Sequence, residues 1–330
     1  YLGAEDYFEQ ALHICRQIGD RQVEGNILNN LGIVSGYQGD YLSAGYYYEQ
    51  ALQIKEEIDD REGQSMVLDN LGDAFKYQGE YAQATHYFEQ SLQIRQEIGE
   101  RLGEGNTLNN LGSVADYQGD YASARAYFEQ SLDIRREIGH RQGEAESLAY
   151  LSLLCHHEGH DDEALNYGEQ AVQIANEVGD QHLLGNALTH MGHALVNQGH
   201  LAAAAEAYQQ ALTTRRALGE HNRALEPLAG LARVFLAQAN ILQALDLAEE
   251  ILSHIAQQTV DGAEEPLRIY LTCYQVLKTS QDQRAQEVLD EACFLLEARV
   301  SKITDERMRR SFLENVAVHR ELRALSAAVK

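Results

Sequence analysis

The sequence predicts an all-α solenoid of stacked helical hairpins, and three observations predict it. The stretch from Arg101 to Gly139, RLGEGNTLNNLGSVADYQGDYASARAYFEQSLDIRREIG, returns forty residues earlier as REGQSMVLDNLGDAFKYQGEYAQATHYFEQSLQIRQEIG and forty earlier again as RQVEGNILNNLGIVSGYQGDYLSAGYYYEQALQIKEEID. A fixed period of this length marks a stacked array. Each copy also carries two apolar patterns at helical spacing, Leu108, Leu111, Val114 and Ala115, then Tyr121, Ala124, Tyr127, Phe128, Leu132 and Ile134. Between the two stands Gly119-Asp120, repeated as Gly39-Asp40 and Gly79-Glu80. The glycine suits the left-handed residue that closes one helix, and the acid suits the cap of the next.

Residues 1–20 align with the second helix of a copy and have no first helix before them, so a truncated repeat is expected there, with its stability raised by restoring upstream residues. Residues 21–220 make five regular units, starting at Arg21, Arg61, Arg101, Arg141 and Gln181, with Gly99, Gly139, Gly179 and Gly219 marking the junctions between copies. Gly112 with Gly32, Gly72 and Gly192, and Ala124 with Ala44, Ala84, Ala164 and Ala204, recur where the helices of a hairpin are expected to face each other closely. Residues 221–299 make two degenerate units. There Ala239-Asn240 replaces the Gly-Asp turn, and Pro227 and Pro266 sit where first helices start, which a first turn tolerates. The stretch 257–264, QQTVDGAE, reads as a loop. Residues 300–330 read as one terminal capping helix, with Thr304 as its cap and Met308, Phe312, Leu313, Val316, Leu322 and Leu325 on one face.

The marks L-G, then Q-G-D-Y, then Ala, then an aromatic residue and a small residue before Leu, resemble the tetratricopeptide repeat. Leu111-Gly112, Ala124, Phe128 and Ser131 fall at that family's spacings, with Leu108 in place of its frequent Trp. The forty-residue period is similar to that of kinesin light chains and Pins-type scaffolds. The run Arg309-Arg310-Ser311-Phe312-Leu313-Glu314-Asn315-Val316, followed by His319-Arg320, resembles the end of the repeat region in bacterial STAND signalling ATPases. The resemblance implies a right-handed superhelix whose inner surface is lined chiefly by first helices. It implies that Asn26, Asn29, Asn30 and Tyr37 face a partner-binding groove, joined by Asp69, Asn70, Asp73 and Tyr77, and by Asn106, Asn109, Asn110, Asp116 and Tyr117. Asparagine both donates and accepts, which suits the backbone of a bound segment, and tyrosine adds stacking area with a polar end. Asn30, Asn70 and Asn110 have a second reading, as joints between neighbouring hairpins, and the tyrosine column has one as spacing between repeats.

Composition narrows the partners. The 330 residues carry a formal net charge of −25, while eight of the 26 Lys and Arg residues lie from Arg299 onward. An acidic array repels phosphate backbones, so a polar or basic protein segment is expected as the partner and nucleic acid is not. The four cysteines are scattered without CxxC spacing and read as reduced, buried thiols in a cytoplasmic protein. No apolar run approaches a membrane span.

Seven histidines gather late, at His156, His157, His160, His182, His190, His193 and His200. His190 and His193 share a helical face with spacing compatible with a metal, yet HHEGH is no HExxH motif, so no metal site and no cofactor is expected. No P-loop, GxSxG elbow or glycine-rich strand-to-helix turn occurs, and no enzyme activity is expected. The sequence thus points to a protein-interaction or sensor module in a larger signalling protein with a covalently linked upstream domain. Its rivals are the regulatory or self-assembly arm of a STAND-type ATPase, and a metal or small-molecule sensor at the histidine-rich units.

Overall fold

Seventeen helices, and no strand, occur among the described residues of the computed structural model, which are 2–257, 260 and 263–329. The chain divides into two compact units, Tyr1–Val114 and Ala115–Lys330. The first holds α1 (Leu2–Ile18), α2 (Arg21–Tyr37), α3 (Tyr41–Glu57), α4 (Arg61–Tyr77) and α5 (Tyr81–Ile98), and α6 (Arg101–Tyr117) crosses the division. The second holds α7 (Tyr121–Glu137), α8 (Arg141–Glu158), α9 (Asp161–Val178), α10 (Gln181–Asn197) and α11 (Leu201–Ala217). It continues with α12 (Leu225–Ala237), α13 (Ile241–Gln257), α14 (Pro266–Thr279), α15 (Ala285–Lys302), α16 (Glu306–Glu314) and α17 (Ala317–Val329). Within each unit consecutive helices pack as hairpins.

Turn chemistry sets the helix ends. Gly119 adopts φ +72°, and Asp120 then accepts from the Ser123 N–H at 3.3 Å. Asp20, Asp40, Asp60 and Asp180 cap their helices in the same way, and His140 does so through Nδ1. At the degenerate turn Ala239 holds φ +58°, so the hairpin geometry persists where its glycine is gone. As the prolines predict, α12 starts four residues later in its copy than α10 does, and Pro266 opens α14.

The recurrent glycine has a different neighbour from the expected alanine. A Cβ added at Gly32 would lie 2.4 Å from the Tyr48 ring, one at Gly72 2.5 Å from Phe88, and one at Gly192 2.6 Å from Tyr208. Tyr48, Phe88 and Tyr208 stand four residues after Ala44, Ala84 and Ala204, which are themselves fully buried. The first helix gives up its side chain to admit an aromatic ring.

The terminal segment also departs from expectation. It forms two helices, and the cap is Asp305, which accepts from the Met308 N–H at 2.8 Å, not Thr304. The break at Asn315-Val316 is stabilised by side chains that take the freed carbonyls: His319 Nδ1 donates to Phe312 O at 2.7 Å, and Arg320 donates to Glu314 O and Asn315 O. Phe312 and Leu322 are buried. Of the expected loop 257–264, residues 258, 259, 261 and 262 lie outside the described residues, and Gln257 belongs to α13.

Candidate functional site

In the first unit the predicted groove residues separate into two groups. Asn26 and Tyr37 are exposed, with Tyr37 at 70 %, and Asn106 is exposed too, whereas Asn30, Asn70, Asn110, Asp73 and Tyr77 are half-buried. With Met66, at 45 % exposure, they give α2, α4 and α6 an open face of polar and soft apolar side chains. Asn29, Asp69 and Asn109 are instead buried, at 5 %, 9 % and 2 %. Asn29 accepts from Asn70 Nδ2 at 2.8 Å, tying α2 to α4. Asp69 takes Arg95 Nη2 at 2.6 Å and the Thr107 hydroxyl at 3.0 Å. Burial pushes its carboxyl up to about 6 even though Arg95 pulls the other way. Asn29 and Asp69 are joints between hairpins, and Asn109 is buried with them rather than on a surface, because the polar pattern places all three one helical step inward of the open face.

One position that sequence reasoning missed explains part of the joint. Lys55, Arg95, Arg135 and Arg215, in the last turns of α3, α5, α7 and α11, are all buried. Lys55 donates to Asn26 Oδ1 at 2.6 Å and to Asp60 at 2.7 Å, and Arg215 pairs with Glu220 and Asn186. The recurrence of a cation at the same place in four copies was the available signal, since a long cationic side chain in a packed last turn needs acceptors to lie beside it.

The second unit places a dense ionic cluster on the corresponding face. In the forty-residue register His157 stands where Tyr37, Tyr77 and Tyr117 stand, and His193 and Arg233 stand where Ile33 does. Asp116, predicted as a groove residue, is 7 % exposed, and Tyr117 is half-buried. His157 donates through Nδ1 to Asp116 at 2.9 Å and through Nε2 to Glu265 at 3.1 Å. Burial lowers its basicity, but the two carboxylates outweigh burial and lift it to about 10, so it is an imidazolium. His190 donates to Ala149 O at 2.9 Å and to Glu264 at 2.7 Å, and its pKa is raised against burial chiefly by Glu264.

The other two imidazoles are neutral. His156 donates through Nδ1 to Asp161 at 3.1 Å and accepts at Nε2 from Arg268 at 2.9 Å. His193 accepts at Nδ1 from the Tyr208 hydroxyl at 2.6 Å and from Arg233 at 3.0 Å. Burial, then Arg268 for His156 and Arg233 for His193, holds both well below the usual histidine range. Glu226 accepts from the Glu265 N–H at 2.7 Å, and burial followed by the neighbouring Glu264 and Glu265 raises its carboxyl pKa. Glu265 is held well below the carboxylate range, against burial, first by Arg268 and then by His157. No group of His, Cys, Asp and Glu with metal-holding geometry occurs among the described residues. Cys15, Cys155 and Cys273 are buried free thiols, and Cys293 is half-buried.

Beside this cluster a cavity of about 270 Å³ opens between α8, α10, α12 and α14 on one side and the start of α17 on the other. The terminal helices reach it by crossing to the turn before α7, where Asn315 Nδ2 donates to Gly119 O at 2.9 Å and the Tyr121 hydroxyl donates to Asn315 O at 3.4 Å. Gln275 on α14 donates to Glu321 on α17 at 2.8 Å.

Comparison with known proteins gives the following. A family model described as a tetratricopeptide repeat matches residues 1–57, 23–97, 63–137 and 103–177, and a second of the same description matches 184–224. No curated protein matches by sequence. Among solved structures, the Rap conjugation gene regulator of plasmid pLS20, solved with the Phr* peptide, is similar at 15 % identity and TM-score 0.69, over 87 % of this chain and 78 % of that one. Aspartyl phosphate phosphatase F from Bacillus subtilis is similar at 17 % identity and TM-score 0.66, over 80 % of this chain and 67 % of that one. A STAND protein with a tetratricopeptide repeat sensor from Pyrococcus horikoshii is similar at 17 % identity and TM-score 0.56, over 88 % of this chain but 44 % of that one. At these identities the likeness is one of fold.

Proposed function

Because the chain belongs to the tetratricopeptide repeat family, we propose that it is a non-catalytic protein-interaction module whose first-helix face in the first unit receives a segment of a partner protein. The observation that carries this reading is that a polypeptide segment already lies on the corresponding face of the second unit. There α17 meets α14 through Gln275 and Glu321, and Asn315 holds the Gly119 carbonyl. A face built from rigid hairpins spares the array an ordering cost when a segment docks, which favours capture. The net charge of −25 favours a polar or basic segment over an acidic one.

The test compares capture of the native partner by the parent and by a Tyr37→Ala, Met66→Ala, Asn110→Ala variant. Capture should fall by roughly tenfold or more, in keeping with the loss of central anchors, with the helical content unchanged. Undiminished capture by a folded variant moves the site off this face.

A second reading makes the array the regulatory arm of a STAND-type ATPase, joined to an upstream domain, and the docked terminal pair favours it as a self-restraining element. Sequencing upstream of Tyr1 decides it: a P-loop there supports the switch, and further repeats support a free scaffold.

A further inference from the structure

The cavity of the second unit has a chemistry of its own. Arg233 lines it and, among the described residues, forms no ion pair; its Nη2 meets His193 Nδ1 at 3.0 Å and the Tyr208 hydroxyl at 3.3 Å, both uncharged. Arg268, whose side chain is 16 % exposed, gives Nη1 to His156 and Nη2 to Glu265 at 3.0 Å, while its buried Nε has no hydrogen-bond partner. The two guanidinium groups flank the pair His156 and His193, whose ring centroids are 5.5 Å apart. A buried N–H donor without an acceptor is costly, and a guanidinium without a counter-ion is more so. Val196, Leu271, Val316 and Val318 add apolar surface to the lining.

We propose that this cavity is a binding site for a small organic monocarboxylate, with the carboxylate held by the Arg233 guanidinium and the apolar body laid against Leu271 and the Val316–Val318 strip. Three features select that class. Arginine matches a carboxylate geometrically and electrostatically. One guanidinium lacking a carboxylate balances one negative charge, whereas Glu321 at the rim and Asp161 beside His156 oppose the second charge of a phosphate monoester. The volume of about 270 Å³ equals on the order of nine waters, which suits a short acid and not a peptide.

The consequence is a link between ligand and terminal helix. Val316, Ala317 and Val318 form part of the wall, so a bound acid bridges α14 to the start of α17 and stabilises their docking. This proposal concerns the second unit and stands apart from the partner reading for the first, so either can fail alone.

The experiment titrates the full chain with sodium butanoate, hexanoate and benzoate, with the matching neutral amides, and with butyl phosphate, by calorimetry and thermal melting. At least one acid is expected to bind and raise the melting temperature, its amide and butyl phosphate to bind roughly tenfold or more weakly, and amide exchange to slow at 315–325. The R233Q variant should lose this response. If R233Q does not fold, V196F tests the same claim by filling the cavity from a half-buried wall position. Absence of any acid response, equal binding of acid and amide, preference for the phosphate ester, or an unchanged response in a folded R233Q or V196F protein overturns the proposal.

Discussion

His157 is the residue on which most of the second unit's electrostatics turn, since its single positive charge is shared between Asp116 and Glu265. Its folded pKa of about 10 stands above an unfolded value near 6.5, so its stabilisation is complete below about 6.5 and is lost as pH rises through about 10. Glu226, raised by burial, has the same sign, because the fold favours its protonated form. His156 and His193, lowered by burial and by the adjacent guanidinium groups, have the opposite sign and destabilise the fold as pH falls below about 6.5. Melting of the parent should therefore decline from pH 7 to pH 10, and H157Q should be less stable at pH 7 by about 3–5 kcal/mol and show a flatter alkaline limb. Asn29 makes a second case. Its place on the polar stripe of α2 suggests a groove contact, yet its bond to Asn70 makes it a joint. Asn29→Ala should cost about 1 kcal/mol in urea unfolding. The sequence showed the type and spacing of these side chains, while the direction each one faces depended on a rotation of less than one residue about the helix.

At the scale of the helix and its turns, local chemistry carries the explanation. Gly72 admits the Phe88 ring, and a Cβ 2.5 Å from that ring forces either the ring or the hairpin to move. Gly72→Ala should cost about 1–3 kcal/mol by overpacking, seen as a lower denaturation midpoint with helicity retained. The turn at Ala239 runs the other way. Its φ of +58° strains an L-residue, so Ala239→Gly should raise stability by about 1 kcal/mol. Capping acids, turn glycines and late-starting proline helices were legible because each acts within four residues of itself. The break between α16 and α17 was not, since the carbonyls freed there are satisfied by His319 and Arg320, whose availability depends on how the two short helices fold together.

For the molecule as a whole, the two units respond to different perturbations. Deleting residues 304–330 removes buried Phe312 and Leu322 and the Asn315 contact with Gly119, so it should lower the melting temperature of the second unit and speed amide exchange in α14 and α7. Exchange in α2 to α4 should be unchanged, because repeat arrays are stabilised mainly by neighbours. A uniform loss of protection across both units would contradict that division. The sequence by itself determined the repeat frame, the all-helical class, the hairpin ends and the poverty of catalytic and metal-binding motifs, because each rests on contacts between residues close in the chain or related by the fixed period. Only the tertiary structure decided that His157 meets Glu265, that Arg268 meets His156, and that the terminal pair closes over them. Those partners lie more than a hundred residues apart, beyond the degenerate copies where the period fades, and no local rule fixes which side chains such a return path brings together.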